Sequence, residues 1–426
     1  MPIWTTIFFA VMLAAIAILP LVAEHWWHHN RNKLLVSVVL SIPVLLFLVA
    51  QGMYAPIEHA AEEYFAFIVL LGSLFIISGG ILVEGDIRAT PLVNTGFLAL
   101  GALLASFMGT TGASMLLIRP LLRTNSERQF TIHTPIFFIF IVSNVGGVLT
   151  PLGDPPLFMG YLRGVPFEWT FGLWKEWLFV SAALLAIYFV LDSRAYAKES
   201  RSALQKDITQ IEPLQVRGGL NLLWLLGIVL AVAFINEKYI GEVAHFFTRE
   251  WVMIGLAALS WFLTPKLLRE KQAFSFGPIT EVAVLFVGIF ITMIPALILL
   301  EENGAQLGLT TPWHFFWATG FLSSFLDNAP TYLTFFSLAQ GASAELGALY
   351  PAVEMVQQIP VNILTGVALG AVFMGAMTYI GNGPNFMVKA IAEENGIKMP
   401  SFGGYVKWSV AVLLPLWVAV TVLFLL

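Results

Sequence analysis

From Met1 to Leu426 the chain runs as one apolar stretch after another, most of them near twenty residues long and parted by short polar gaps. A lipid core roughly 30 Å thick takes about 20 apolar residues per helical crossing. Inside it, every backbone amide and carbonyl must find a partner, which helices supply from within their own segment. Hydrophobic residues make up 58% of the chain and charged residues 11%, so no stretch remains for a separate soluble domain. The class expected is an all-α polytopic membrane protein. The first stretch, about residues 3–23, has no basic leader and no small-residue cleavage site, and reads as a retained helix. With no cysteine, disulfides and thiolate metal sites are excluded. The loop histidines His25, His28 and His29 are explained by crowding at a membrane surface as well as by metal binding. A net charge of −5 points to no nucleic-acid partner.

Hydropathy places ten crossings near residues 3–23, 34–51, 64–84, 134–163, 171–191, 219–236, 251–264, 279–300, 361–392 and 405–426. Two further stretches, 92–123 and 312–340, are interrupted midway by Gly109-Thr110-Thr111-Gly112 and by Asp327-Asn328-Ala329-Pro330. Each reads as a re-entrant hairpin, because a helix break within the membrane survives only where protein or a wet cavity satisfies the freed backbone. Lysines and arginines favour the cytoplasmic side. Putting the N-terminus outside collects Arg31, Lys33, Arg88, Arg119, Arg123, Arg128, the group Arg194 to Arg217, Lys266, Arg269, Lys271, Lys389, Lys398 and Lys407 inside. Only Arg163, Lys175, Lys238 and Arg249 then fall outside, where segments 52–63, 301–311 and 341–358 also lie. Both termini are therefore expected outside, with the first hairpin opening to the cytoplasm and the second to the exterior.

A shift of 216 residues lays Leu71-Gly72-Ser73-Leu74-Phe75 on Val287-Gly288-Ile289-Phe290-Ile291, and Thr111-Gly112-Ala113 on Asp327-Asn328-Ala329. A shift of 228 lays Thr150-Pro151-Leu152-Gly153-Asp154-Pro155-Pro156 on Thr378-Tyr379-Ile380-Gly381-Asn382-Gly383-Pro384. Two halves follow, 1–191 and 219–426, joined by a charged cytoplasmic linker, 192–218. Five crossings per half is an odd number, so the second copy enters the membrane inverted. Inverted repeats with interrupted helices are the pattern of secondary transporters.

Packed about a pseudo-twofold axis, the tips at 109–114 and 327–331 and the breaks at 150–156 and 380–385 would converge near the bilayer midplane. Broken helices offer dipole ends and carbonyls, and neighbouring hydroxyls and amides offer neutral oxygen ligands for sodium. The candidates are Thr110, Thr111, Ser114, Ser143, Asn144, Thr150, Ser323, Ser324, Asn328, Thr331, Asn382 and Asn385. Each also suits a helix cap or an interhelical hydrogen bond. Asp154 and Asp327 are sharper, because a carboxylate near the bilayer centre costs at least roughly 2.5 kcal/mol. Burial favours the neutral acid and a bound cation favours the carboxylate, so protons and sodium would compete for both, with N-capping of a half-helix as the plainer role. Glu84, Glu281, Glu301 and Glu302 sit at span ends and read as solvated, and Lys389 as reaching the cytoplasmic interface. Tryptophans near span ends, such as Trp26-Trp27, Trp174 with Trp177 and Trp313 with Trp317, fit interfacial belts rather than a cofactor. No phosphate-binding Gly-rich loop with its lysine is present, which argues against direct drive by ATP, and the chain is expected to be a transporter rather than an enzyme.

At these residues the chain resembles the ion transporter superfamily, which includes sodium/proton antiporters of the NhaD type, arsenite exporters and citrate or dicarboxylate carriers. Asn144-Val145-Gly146-Gly147-Val148-Leu149-Thr150-Pro151-Leu152-Gly153-Asp154 resembles the NhaD-type pattern, and Ser323-Ser324-Phe325-Leu326-Asp327-Asn328-Ala329-Pro330 the second-hairpin motif. Pro155-Pro156 stands where NhaD-type sequences carry threonines, and Thr110-Thr111 where arsenite exporters carry Asn-Asp. The resemblance implies a homodimer in a bacterial inner membrane, with a scaffold and a transport subdomain moving in elevator fashion. The leading expectation is exchange of sodium or lithium for protons through Asp154 and Asp327. Sodium-coupled uptake of citrate or a dicarboxylate is the alternative, disfavoured by the two acids and by the lack of an arginine in the four interruptions. Arsenite-type export ranks below both, and a channel would need an open aqueous path.

Overall fold

The computed structural model describes residues 1–209, 211–241 and 247–426, so Gln210 of the expected linker lies outside the described residues. The chain is an all-α polytopic membrane protein. Among the described residues, seven helices are long and apolar enough to cross a bilayer, and shorter apolar helices cover His133–Leu149, Leu220–Phe234 and Val361–Met377. The outer helices leave rows of leucine, isoleucine and valine exposed, as on Asn30–Ala50 and Leu220–Phe234, which is the surface a lipid environment covers.

Two long helices, Tyr54–Ser78 and Gly277–Asn303, cross antiparallel at the centre. Phe67 stacks on Phe286 at 4.7 Å between ring centroids, and Tyr64 meets Phe290 at 5.8 Å. Each is flanked by helices of the opposite half: Gly277–Asn303 packs on Asn30–Ala50 and Ile7–Val22, and Tyr54–Ser78 packs on Thr248–Leu263 and Leu220–Phe234. Pro91–Met108 and Thr110–Thr124 form the first hairpin, broken at Gly109, whose φ of 80° is open to glycine and costly for any other residue. Its mouth is closed by a reciprocal pair of side-chain amides, Asn94 and Asn125, at 2.8 and 2.9 Å. Pro312–Ser323 and Asn328–Gly341 form the second hairpin.

Two expected boundaries shift. The third crossing, expected over 64–84 with 52–63 as an outer segment, begins instead at Tyr54 and ends at Ser78. Glu58, Glu62 and Glu63 read as loop because acids rarely continue an apolar helix. Here Glu63 is buried and held by Arg163 at 2.9 Å, so the helix carries on. Residues 82–84 of that expected crossing belong to a strand, Leu82–Asp86, paired antiparallel with Glu212–Arg217. The second correction is the linker: Trp174–Tyr196 runs on past residue 192, Arg201–Thr209 is helical and the strand follows. Thr248–Leu263, expected as a crossing, falls outside the ten apolar helices, whereas the hairpin arm Pro91–Met108 is among the seven long ones.

Candidate functional site

Two crossings break in the same way. His133–Ile141 gives way to a 3-10 turn, Val145–Leu149, and resumes as Pro155–Leu162. Val361–Met374 gives way to Gly375–Met377 and resumes as Gly383–Glu394. Proline in the first turn of both resumed helices, Pro155-Pro156 and Pro384, lacks an amide only where a helix has no carbonyl to offer it. The Thr150 hydroxyl donates to the Ser106 carbonyl of the first hairpin, and the Ser106 hydroxyl donates to the Gly146 carbonyl at 2.5 Å. On the other side Thr378 donates to the Ser324 carbonyl at 2.5 Å, and Ser324 donates to the Met374 carbonyl at 3.2 Å. Each hairpin tip is thus stitched to the break of its own half by the same two hydroxyls.

Asp154 stands at the meeting point, 1% exposed. Its Oδ1 accepts from the Thr110 hydroxyl at 3.0 Å and from Asn382 Nδ2 at 3.2 Å, and its Oδ2 accepts from Asn328 Nδ2 at 2.8 Å. The donors come from the first hairpin tip, the second break and the second hairpin tip. Behind them, Asn382 Nδ2 also reaches the Ser143 carbonyl at 3.0 Å and Asn144 Oδ1 at 3.2 Å. Asn144 Nδ2 donates to Asn385 Oδ1 at 2.8 Å, and Asn385 Nδ2 to the Gly375 carbonyl at 2.8 Å. Ser323 donates to Asn328 Oδ1 at 2.8 Å, and the Ser114 and Ser143 hydroxyls meet at 2.9 Å. All these side chains are buried. No lysine, arginine or histidine among the described residues pairs with Asp154.

The N-termini of four helices, Thr110–Thr124, Pro155–Leu162, Asn328–Gly341 and Gly383–Glu394, bound this cluster, and Asp154 is the carboxylate among them. Partial positive charge at helix starts, with three neutral donors, lets a carboxylate persist there without a basic side chain.

The other expected residues separate into roles. Asp154 precedes Pro155–Leu162 but makes no side-chain cap, so the capping role does not apply to it. Asp327 does cap: its Oδ1 accepts from the Ala329 amide at 3.0 Å, and it makes no hydrogen bond to Asp154. It is only partly buried and is linked to the cluster through the neighbouring Asn328. The Thr331 hydroxyl donates to the Asp327 carbonyl at 2.9 Å, a bond within its own helix. Thr111 lies on a cavity of about 60 Å³ that also reaches Thr110, Gly153 and Pro155, the residues bracketing Asp154, and is lined on another side by Phe75 and Ile279. Such a volume holds a few waters or an ion, against the roughly 300 Å³ and upwards typical of organic ligand sites. Lys389 pairs with Glu393 at 2.8 Å, away from the site. Glu84, expected solvated, pairs with Lys271 at 2.7 Å and Arg217 at 3.1 Å.

Sequence reasoning missed Ser106 and the Arg163–Glu63 pair. Ser106 could have been found from Ser324, since the equivalent hydrogen bonds lie 218 residues apart at the tips, not 216. That spacing pairs Thr110 with Asn328, and both donate to Asp154.

A family model described as "Putative citrate transport" matches residues 1–425. No curated protein matches the chain. The chain belongs to that citrate-transport family, in keeping with the resemblance to citrate-transporter-like members of the ion transporter superfamily, and is a multi-pass secondary transporter.

Proposed function

We propose that this member of the citrate-transport family is a sodium (or lithium)/proton antiporter in which Asp154 carries either a proton or the metal cation. One observation carries the reading: a single buried carboxylate held by three neutral donors from three separate helix interruptions, with no basic partner. Helix starts and neutral donors lower the cost of that carboxylate without cancelling its charge, and a net charge inside a membrane remains costly. A proton neutralises it, and so does a small monovalent cation, and the two exclude each other. Asn328 and Asn382 can turn their amide oxygens inward to meet a cation, and the carbonyls of Ser143 and Gly153 lie alongside. Asp327 adds a second negative group at the edge of the site, which raises the local concentration of cations.

Access from one end is consistent with alternating exposure. The cavity beside Thr110 lies where Tyr54–Ser78 ends and Gly277–Asn303 begins. At the opposite end Arg163 bridges Glu63 at 2.9 Å and Glu301 at 3.7 Å, tying the resumed helix to both central helices. With both termini outside, as the distribution of basic residues argues, the end that carries the cavity faces the cytoplasm of a bacterial inner membrane. A homodimer moving its transport subdomain as an elevator completes the reading.

The family description favours a second reading, cation-coupled uptake of citrate or a dicarboxylate, with Asp154 as the coupling site. It meets two physical objections: the small cavity, and a resident carboxylate already occupying the place where helix N-termini would receive a substrate anion. Proton release in weak buffer separates the two. Sodium added to purified protein should release protons without citrate, and Asp154→Asn should abolish the release. Release that requires citrate would favour the carboxylate carrier.

A further inference from the structure

A second cavity, of about 230 Å³, lies away from Asp154, between the C-terminal end of Trp174–Tyr196, the approach to His133–Ile141 and the start of Phe402–Val420. All three are ends of membrane helices, so the cavity sits at the membrane boundary. Arg194 and Lys198 line it, and both are exposed with no carboxylate partner among the described residues. The two acids nearest in sequence are already engaged. Asp192 is taken by Arg128 at 2.6 Å and His133 at 2.9 Å. Glu199 accepts from the Gln129 and Phe130 amides at 3.0 and 2.9 Å. His133, held by Asp192, also lines the cavity, and the rest of the lining is apolar, including Ile132, Leu191 and Trp408.

We infer that this cavity is a site for an anionic phospholipid, whose phosphate pairs with Arg194 and Lys198 while its glycerol backbone and upper acyl chains cover Ile132, Leu191 and Trp408. Charge selects the headgroup. Two cations without protein partners in a boundary groove attract anionic over zwitterionic lipid, and the Arg194 guanidinium matches a phosphate with two parallel donors. The apolar wall selects a lipid over a free anion, which would leave that surface wet. The inference does not depend on which ions the central site exchanges.

Native mass spectrometry of delipidated protein, titrated with phosphatidylglycerol, phosphatidylcholine or inorganic phosphate, tests it. Phosphatidylglycerol should bind in preference to phosphatidylcholine, and Arg194→Gln with Lys198→Gln should weaken that binding by about thirtyfold, the weight of two interfacial cations. Arg194→Lys with Lys198→Arg should restore most of it, which distinguishes lost charge from lost fold. Removing Arg31, an exposed cation elsewhere, should change nothing. Equal binding of the two lipids, an unaffected double glutamine variant, or millimolar phosphate displacing the lipid would each overturn the assignment.

Discussion

At the scale of single residues, function rests on Asp154 and its three donors, and substitutions should separate charge from architecture. Asp154→Asn places at one break the residue that the other already has, Asn382, at the same point ahead of a proline-led helix. The variant should therefore fold and insert normally while losing proton-coupled sodium flux, as read by uptake of labelled sodium under an imposed pH gradient. Thr110→Val or Asn328→Ala removes one hydrogen bond to a charged group, typically about 1.5–3 kcal/mol, and sodium KM should rise by roughly ten- to a hundredfold. Asp327 acts differently because its carboxylate caps a helix. Asp327→Asn preserves the cap and should raise the sodium KM only several-fold, whereas Asp327→Ala should also cost about 1 kcal/mol of stability in thermal unfolding.

At the scale of elements, the tips depend on backbone that only glycine adopts easily. Gly109 has φ 80° and ψ 147°, and Gly109→Ala should destabilise the first hairpin by about 1–3 kcal/mol, lowering both unfolding temperature and exchange rate. Gly153 is more constrained. Its carbonyl accepts from the Thr110 amide at 2.8 Å, and an added Cβ would run into the Gly147 carbonyl, so Gly153→Ala should be the more damaging of the two. Both hairpins and both breaks were legible in the sequence, because polar groups and glycine midway through an apolar run interrupt a helix where lipid offers the freed backbone no partner. The start of the third helix was not, since Glu58, Glu62 and Glu63 look like a loop until Arg163, a hundred residues on, supplies the partner. Nor was the strand Glu212–Arg217, which is exposed throughout and whose partner, Leu82–Asp86, begins inside what reads as the end of a crossing. The convergence on Asp154 was expected from pseudo-symmetry, but which groups touch it was not. Its partners Asn328 and Asn382 lie 174 and 228 residues away, and the 216-residue alignment paired Asn328 with Gly112, which has no side chain to donate, rather than with Thr110.

At the scale of the whole molecule, the two ends of the central helix pair differ: a cavity lies at one, and Arg163 joins Glu63 and Glu301 at the other. The natural absence of cysteine makes this difference measurable. Thr111→Cys, on the cavity wall, should react with silver ion, small enough for that cavity, added from the cytoplasmic side, and Arg163→Gln in that background should increase its reaction with silver ion added from the opposite side. The central claim, that Asp154 exchanges protons for sodium, is tested most directly in proteoliposomes containing a pH dye. An outward or inward proton gradient is imposed, and sodium is then added without any carboxylate. Sodium should trigger immediate proton movement in the wild type and none with Asp154→Asn. Proton movement only when citrate is present, or an Asp154→Asn variant that behaves as wild type, would contradict the claim.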